Sequence, residues 1–576
     1  MSRYAKGWQW AATLLLGAAV FFFWRWRFPA ALAFQEQLQL FLFDHDYLVD
    51  RLAQPGGVAC YVAEFIVQFY NNVSAGAAIL ALLFMLLQRG TWRLMRAEGE
   101  WYLLSFLPAL MMWVLMGDEN VMLTALVALL MTMACMLWCP KGRKSRILWL
   151  LVVLPLLYWL VGPMAIIAAI YIPFRGSEDT GNSLAAKSLT ALGAVVYLVA
   201  VMVASAYFLP YPLLRVALGL GYYRYVETLP YLLLAIGIVV LLLAFFGKRL
   251  PKLAGRRQTV AIVCEVALLV AMMCVALPQS FDRRKYDLIE YDFLVRTNQW
   301  DKIVGKSVRR QPDLPMSVCA TNLALAMKGE LGERCFDFYQ NGTGGLLPGF
   351  VRNFATLHLT GEAYFQLGLV NTAQRFAFEA MEAIPNYNKS ARAIKRLAET
   401  NLINGQYQVA AKYLRMLEKT VFYRKWARHT MQLLDNEEAI NAHPLYGKLR
   451  RLRLSDDFLF SENEIDKICG QLFMHNSQNT LAMQYMLMYP ILEGDIDKLM
   501  GYAQVVQGKV MYNPRACQEA LAYAFMRHGQ MPPQGVVNPN VARRLEEFVS
   551  IYKSAGKGSP QMEPFRNTVW YYLTAE

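Results

Sequence analysis

Long apolar stretches between residues 8 and 277 constrain the fold of this chain more than any other feature. A helix needs about 20 mainly apolar residues to cross a bilayer. The stretches that approach this length are 8–23, 73–87, 101–116, 121–138, 189–209, 229–246 and 258–277. A further stretch, 147–174, is too long for one crossing and is interrupted at Gly162-Pro163, so it predicts either one kinked helix or two short helices.

The composition fits a membrane protein. Hydrophobic residues make up 56% of the chain and charged residues only 17%, against about a quarter charged in soluble proteins, which argues against an ordinary cytosolic enzyme. The net charge of +14 is partly concentrated in short clusters between apolar stretches, a pattern typical of membrane topology and not of nucleic-acid binding. The nine cysteines form no CxxC motif, so neither a zinc ribbon nor a dithiol redox site is indicated.

The chain changes character near residue 278. Residues 279–576 contain amphipathic helical patterns with ordinary charge, and turn residues recur in them about every 34 to 37 positions, with a less regular stretch between the fourth and the fifth. These turn residues are Asn298, Gly332, Gly368, Gly405, Gly494 and Gly529. The period resembles that of tetratricopeptide repeats, which implies stacked helix pairs with a concave surface for a protein or peptide partner. We therefore expect an all-α chain: a polytopic transmembrane helix bundle in residues 1–278, followed by a helical-repeat solenoid in residues 279–576.

Basic clusters predict the orientation, because cytoplasmic loops collect Lys and Arg. The clusters lie at residues 3–6, 89–96, 141–146 and 248–257. All four can face the cytoplasm only if an odd number of spans, about nine, precedes residue 279, with 147–174 crossing twice. If that segment crosses once, the last cluster faces outward. The first alternative predicts a bacterial inner-membrane protein with its C-terminal domain in the periplasm.

Acidic residues mark the outward face in this topology. The segment DHD after the first span contains Asp44 and Asp46, and the turn MGDEN contains Asp118 and Glu119. Paired carboxylates bind divalent cations through hard oxygen ligands, and one can act as a general base. The pattern predicts Asp44 and Asp46 as catalytic groups. Asp46, Asp118 and Glu119 are then ligands of a divalent cation, Mg²⁺ or Mn²⁺, that would neutralise a lipid pyrophosphate leaving group.

These two acidic positions resemble those of the C-superfamily membrane glycosyltransferases. Those enzymes use polyprenyl-phosphate-linked sugars and place one acidic motif in the first external loop and a second after the third helix. Here Asp44 and Asp46 match the first position, and Asp118 and Glu119 match the second. Together with the repeats, the chain also looks like the transmembrane and tetratricopeptide-containing protein O-mannosyltransferases and some bacterial protein glycosylation enzymes. The resemblance implies sugar or glycan transfer from a polyprenyl-phosphate donor in the membrane to a protein or glycan acceptor recruited by the repeats.

Three further features of the apolar half involve charged residues. Arg215 and Arg224 lie among tyrosines in the outward segment 209–230, where they predict a phosphate site for the donor or an aromatic belt with snorkelling arginines. Glu64 follows the Pro55-Gly56-Gly57 turn on a short interfacial helix. Glu265 lies inside the last apolar stretch, where a carboxylate is either functional, protonated or hydrogen bonded.

A non-catalytic scaffold is the alternative function. Acidic residues in outward loops can simply be solvated, since only Lys and Arg are biased inward. Residues 279–576 contain no HExxH, GxSxG, P-loop or Rossmann motif. In this interpretation the chain is a membrane-anchored repeat protein that organises a cell-envelope protein assembly.

Overall fold

The computed structural model describes residues 3–140, 142–175, 184–225, 231–253, 255–351, 354–385, 388–456, 464–533 and 535–574. The secondary structure of these residues is helical, apart from two isolated β-bridges, Val121 with Tyr223 and Asn341 with Thr343. The all-α prediction is therefore confirmed. The chain divides into a first unit of residues 1–286, 385–388 and 419–422 and a second unit of residues 287–384, 389–418 and 423–576.

The first unit is built on apolar helices. In its described residues these are α1 (Arg3–Phe22), α2 (Pro29–Gln37), α3 (His45–Leu52), α4 (Gly57–Val67), α5 (Val73–Met95), α6 (Leu107–Leu115), α7 (Leu123–Trp138), α8 (Arg143–Val161), α9 (Ala165–Tyr171), α10 (Leu184–Phe208), α11 (Leu213–Leu218), α12 (Tyr231–Phe246), α13 (Arg256–Ala271) and α14 (Leu277–Gln279). Helix α5 packs against α1, α6, α7 and α12. Its buried face, with Leu80, Phe84 and Leu87, lies in the core of the unit.

Within the described residues, six helical segments are long and apolar enough to cross a membrane. They are Gly7–Arg27, Val73–Met95, Lys144–Phe174, Leu184–Phe208, Tyr231–Arg249 and Arg256–Gln279. Two stretches predicted as spans form shorter apolar helices instead, Gly99–Leu115 and Leu123–Trp138. The second of these, α7, is buried along its first half against α4, α5 and α9, so its apolar character also serves packing against protein. The count of about nine crossings stays a prediction.

The segment 147–174 consists of two helices, α8 and α9, that meet at Gly162. Gly162 has φ +80° and ψ −152°, a conformation that favours glycine. The hydroxyl of Tyr222 donates to the Val161 carbonyl and accepts from the Met164 N–H. These two hydrogen bonds hold the interruption between α8 and α9 in place. At the other end, the Arg146 guanidinium donates to the Arg175 carbonyl. The two ends of the segment thus lie together, as in a helical hairpin.

The remaining helices in the described residues contain more charged side chains. They are α15 (Arg283–Arg296), α16 (Trp300–Arg309), α17 (Pro315–Met327), α18 (Leu331–Arg334), α19 (Phe354–Leu367), α20 (Val370–Glu382), α21 (Ala391–Ile403), α22 (Tyr407–Glu418), α23 (Arg424–Met431), α24 (Glu437–Ala442), α25 (Tyr446–Leu452), α26 (Ile465–His475), α27 (Thr480–Glu493), α28 (Ile496–Gln507), α29 (Arg515–Arg527), α30 (Pro539–Ala555) and α31 (Val569–Leu573). Consecutive helices pack on each other from α19 to α23 and from α26 to α30.

Most of the predicted turn residues connect helices in the second unit. Gly368, Gly405, Gly494, Gly529 and Asn298 all have positive φ values, which the tight turns between helices require. Gly332 was predicted as a turn residue, and that prediction is wrong. It lies inside α18, and the turn is formed by Gly329, with φ +75°. A Cβ at Gly332 would lie 2.5 Å from Pro514 Cγ, so close packing explains this glycine.

Helix α27 gives the second unit a contact pattern that the repeat spacing did not predict. It is buried along nearly its whole length and packs against α17, α18 and α19 as well as against α26 and α28. In a simple solenoid each repeat contacts only its neighbours in the sequence. A regular repeat stack therefore stays a prediction for these residues.

Candidate functional site

A small polar pocket lies in the first unit beside the turn that joins α3 to α4. Its walls include Arg51, Cys60, Glu64, Tyr211, Arg215 and Asn388. Its volume is about 30 Å³, close to the share of one molecule in liquid water. A space of this size accepts the tip of an anionic group, and a sugar ring would have to lie outside it.

Glu64 forms a buried ion pair with Arg51 at the pocket wall. Arg51 Nε donates to Glu64 Oε2 at 2.8 Å, and the Tyr47 hydroxyl donates to the same oxygen. Arg51 Nη2 donates to Asn388 Oδ1 at 2.9 Å. Burial raises the pKa of Glu64, and the positive charge of Arg51 opposes this rise. Removing either partner would leave a buried charge unpaired and would destabilise this part of the pocket wall.

The sequence around this pair explains how the backbone comes so close. Gly56 has φ +80°, in the left-handed region. A Cβ at Gly57 would lie only 1.7 Å from the carbonyl oxygen of Arg51, and one at Gly221 would lie 2.3 Å from Cys60 Sγ. The glycines at these two positions therefore bring the α3–α4 turn and the 219–221 segment to the pocket.

Arg215, from the short helix α11, contributes an unsatisfied donor to the pocket. Its guanidinium lies over the Tyr211 ring at 4.9 Å from the centroid. Its Nε is buried and has no hydrogen-bond partner among the residues that the structure describes. A buried donor without an acceptor costs about 1 to 3 kcal/mol. An anionic or water ligand in the pocket would remove this cost.

Asp118 and Glu119 are held by the residues around them. Tyr223 donates its hydroxyl to Asp118 Oδ2 at 2.6 Å, and Asn120 donates N–H groups to Asp118 Oδ1 at 2.9 and 3.1 Å. Lys285 Nζ lies 2.9 Å from Glu119 Oε1, and this bond raises the pKa of Lys285. Two of the three predicted metal ligands are thus already engaged with neighbouring side chains.

Arg224 belongs to the same cluster and not to the pocket. It is buried. Its backbone N–H donates to the Asn120 carbonyl at 2.9 Å, and its side-chain Nη2 donates to the Glu119 carbonyl at 3.5 Å. Burial lowers the pKa of Arg224 to about 10, so it remains charged at neutral pH. The structure thus brings together Asp118, Glu119 and Arg224, while Arg215 lines the pocket with Arg51.

The two carboxylates predicted as catalytic groups have different surroundings. Asp44 pairs with Lys419 at 2.9 Å. The Asp46 side chain is 93% exposed and lies 3.6 Å from His45 Nδ1. Within the described ranges, no group of three or more His, Cys, Asp or Glu side chains is arranged to hold a metal ion, and none of the contacts found there joins Asp46 to Asp118 or Glu119. The divalent-cation site stays a prediction.

Sequence reasoning missed Arg51. The sequence does contain an indication of its role. Arg51 lies just before the Pro-Gly-Gly turn, at the end of α3, and the acidic residue Glu64 lies after that turn, in α4. Charged side chains next to apolar helices usually pair with each other. Two opposite charges on either side of one tight turn therefore predict an ion pair between Arg51 and Glu64.

Comparison with known proteins gives one match. A family model described as a family of unknown function (DUF6057) matches residues 3–576. No curated protein and no solved structure matches the chain.

Proposed function

The chain belongs to the family of unknown function DUF6057, and we propose that it is an integral membrane protein of the glycosyltransferase type. It would transfer a sugar or glycan from a polyprenyl-phosphate donor to a protein or glycan acceptor that the second unit recruits. The observation that carries this proposal is the buried, unpartnered Nε of Arg215, next to Arg51 in a pocket of the first unit. No acceptor for this N–H is found among the described residues, and a phosphate oxygen would supply one.

The surroundings of Arg215 suit a donor with a lipid tail. Arginine presents several N–H groups in a planar fork that matches phosphate oxygens. Large exposed apolar side chains precede it in the sequence: Tyr207, Phe208 and Leu214 are 86%, 82% and 69% exposed. An apolar chain can lie against such a surface. In the proposal the phosphate contacts Arg215, the polyprenyl chain lies along this apolar surface, and the sugar stays outside the pocket.

Asp46 is the carboxylate that we assign as the general base. It is exposed to solvent, whereas Asp44 is paired with Lys419. The acceptor hydroxyl would attack the anomeric carbon, its proton would pass to Asp46, and the bond from that carbon to the phosphate oxygen would break. The leaving phosphate would keep the electron pair and its contact with Arg215. General-base catalysis contributes about 10² to 10⁴ in rate, so Asp46→Asn should lower transfer by a factor in this range.

Binding of a short-chain polyprenyl phosphate to the full-length protein in detergent tests the phosphate site. We expect the phosphate to bind at least about tenfold more tightly than the corresponding polyprenol, because charge-assisted hydrogen bonds to the guanidinium add about 1.5 to 3 kcal/mol. Arg215→Gln should remove this preference. Arg27→Gln is the matched control, because Arg27 is exposed at the end of the first apolar helix. Equal affinity for phosphate and alcohol in the unaltered protein would exclude the proposed site.

A membrane-anchored scaffold for a cell-envelope assembly is the second candidate. It is favoured by the exposure of Asp46 and by the contacts of Asp118 with Tyr223 and of Glu119 with Lys285. The two functions differ in their response to combined Asp44→Asn, Asp46→Asn, Asp118→Asn and Glu119→Gln substitutions. A scaffold would keep its co-purifying partners and its cellular role, whereas a glycosyltransferase would keep the partners and lose transfer to the acceptor.

A further inference from the structure

A second and larger pocket in the first unit lies between the start of α1, the segment after α5 and the start of α13. Its volume is about 500 Å³, within the size range of small-ligand sites. Trp8, Gln9, Glu98, Glu100, Leu103 and Ile262 line it, and none of them lines the Arg215 pocket. We propose that this pocket binds the ammonium headgroup of an amphiphile, of which an aminophospholipid is the simplest example.

The charge of the lining selects an ammonium group. Two carboxylates, Glu98 and Glu100, face the pocket together with Trp8, and the described lining contains no Lys or Arg. Glu98 pairs with Lys252 at 3.2 Å, with both side chains more than half exposed. Exposed pairs of this kind are weak, so a ligand cation can replace the lysine. The face of an indole ring also attracts an ammonium group, through the quadrupole of the ring.

Gln9 supplies a donor for the phosphate of the same headgroup. Its side chain is buried, and Nε2 has no hydrogen-bond partner in the part of the chain that the structure describes. Its carbonyl accepts from Thr13 and Tyr102 at 3.0 and 2.9 Å, which fixes this turn of α1. The Gln9 amide lines the same pocket as the two carboxylates and the indole ring, so a headgroup that carries both an ammonium group and a hydrogen-bond acceptor suits this lining better than a simple amine.

The apolar part of the lining indicates that the ligand is an amphiphile. Ile262 lies one turn after Gln258 on α13, and both line the pocket together with Leu103. The segment Arg256–Gln279 that contains α13 is the least buried of the six candidate spans. The pocket therefore lies beside a candidate span whose surface is mostly exposed. An acyl chain can continue along this helix from a headgroup held by Glu98 and Trp8.

Native mass spectrometry of the full-length protein tests this proposal. The probes are phosphatidylethanolamine, phosphatidylcholine and phosphatidylglycerol with identical acyl chains. We expect the two ammonium lipids to bind about three- to tenfold more tightly than phosphatidylglycerol, the range that one cation–π contact with a carboxylate supports. Equal retention of the three lipids, or a preference for the anionic lipid at the exposed Arg256 and Arg257, would overturn the proposal.

Variants connect the preference to the pocket. Glu98→Gln with Glu100→Gln keeps an acceptor for the Leu253 N–H, which donates to Glu100, and should abolish the preference without changing phosphatidylglycerol binding. Trp8→Ala is a second variant with the same expectation. Trp138→Ala is the control, because Trp138 is 89% exposed and outside the pocket lining. An unchanged preference in both pocket variants would also overturn the proposal.

A soluble competitor identifies the source of the ammonium group. Free phosphoethanolamine that displaces phosphatidylethanolamine at similar concentrations would show that the headgroup alone is the ligand. Displacement only at far higher concentrations would show that the acyl chains contribute and that the ligand is a lipid. Both results support an ammonium site, whereas displacement by glycerol phosphate at the same concentrations would contradict it.

Discussion

Single glycine residues determine how closely the backbone segments approach around the Arg215 pocket. A Cβ at Gly57 would overlap the Arg51 carbonyl oxygen, at 1.7 Å, and backbone atoms cannot move aside as the end of a side chain can. The position of Arg51, and with it the ion pair to Glu64, thus depends on the absence of one methyl group. This dependence can be tested without changing a charged residue.

We expect Gly57→Ala to destabilise the protein by about 1 to 3 kcal/mol, the cost of forcing an extra group into a packed site. It should also weaken binding of polyprenyl phosphate. Gly193→Ala is the matched control, because Gly193 lies inside α10 with nothing within 4 Å of its Cβ position, and alanine should stabilise that helix by up to about 1 kcal/mol. Thermal unfolding in detergent measures both effects. Equal unfolding temperatures in the two variants would disprove the close approach at Gly57.

His358 makes the stability of the second unit depend on pH. It is 6% exposed, and burial, together with the charges of Arg392, Arg396 and Arg296, holds its pKa well below the usual value. The unfolded chain binds a proton on this residue below about pH 6.5 and the folded chain does not. The free energy of unfolding should therefore fall by on the order of 1 kcal/mol between pH 7.5 and pH 5.5 through this group.

His358→Gln should remove that part of the pH dependence. Chemical denaturation at the two pH values, and hydrogen exchange of the α19 amides, would measure the difference between the unaltered and variant proteins. Other groups titrate equally in both, so only the difference is informative. A pH dependence that is the same in both proteins would contradict a buried, neutral His358.

Helix α21 is joined to two neighbouring helices by charged side chains on one of its faces. Arg392 Nη1 lies 2.8 Å from both carboxylate oxygens of Asp292 in α15. One turn later, Arg396 Nη2 donates to Glu362 of α19 at 2.6 Å, and its guanidinium lies 3.4 Å from the centroid of Phe365. These pairs are largely buried, so each fixes the position of one helix against another.

Arg392→Met should destabilise the protein by about 3 to 5 kcal/mol, because it leaves the Asp292 carboxylate buried and unpaired. The double variant Arg392→Met with Asp292→Leu should recover most of this loss, since a well-packed apolar pair can replace a buried ion pair. Arg566→Met is the control, because its pair with Glu563 is 64% exposed on both sides and should change stability by less than about 1 kcal/mol. A double variant as unstable as the single variant would show that the loss is one of packing and not of charge.

At this scale the sequence predicts where helices begin and end better than which helices meet. Glycines at 368, 405, 494 and 529 mark turns, because a positive φ is a local requirement. Gly332 has no such local requirement and is a glycine because Pro514 packs on it. The packing of α27 on α17 joins residues more than 150 positions apart, and no periodic pattern in a single sequence contains that information.

Across the whole molecule, hydropathy and charge made the apolar and polar halves recognisable, since both depend on composition averaged over many residues. The candidate site was predicted only in part. Arg215, Asp118 and Glu119 could be selected because charged residues are rare beside spans. Their partners could not, because the pairing of Tyr223 with Asp118 and of Lys285 with Glu119 arises from chain segments that only the folded bundle brings together.

Sidedness is the whole-molecule property on which the proposed function depends most. The prediction that all four basic clusters face the cytoplasm requires both ends of segment 147–174 to lie on one side of the membrane, and the hairpin formed by α8 and α9 is compatible with this requirement. The same prediction would put the second unit outside. We therefore expect Met511→Cys, at a fully exposed position of the second unit, to react with a membrane-impermeant maleimide in intact cells. The native Cys517 is buried and would not report. Lys252→Cys, in an exposed stretch of the last basic cluster, should react only after the membrane is opened. Labelling of position 252 and protection of position 511 would place the second unit in the cytoplasm, away from any acceptor in the cell envelope.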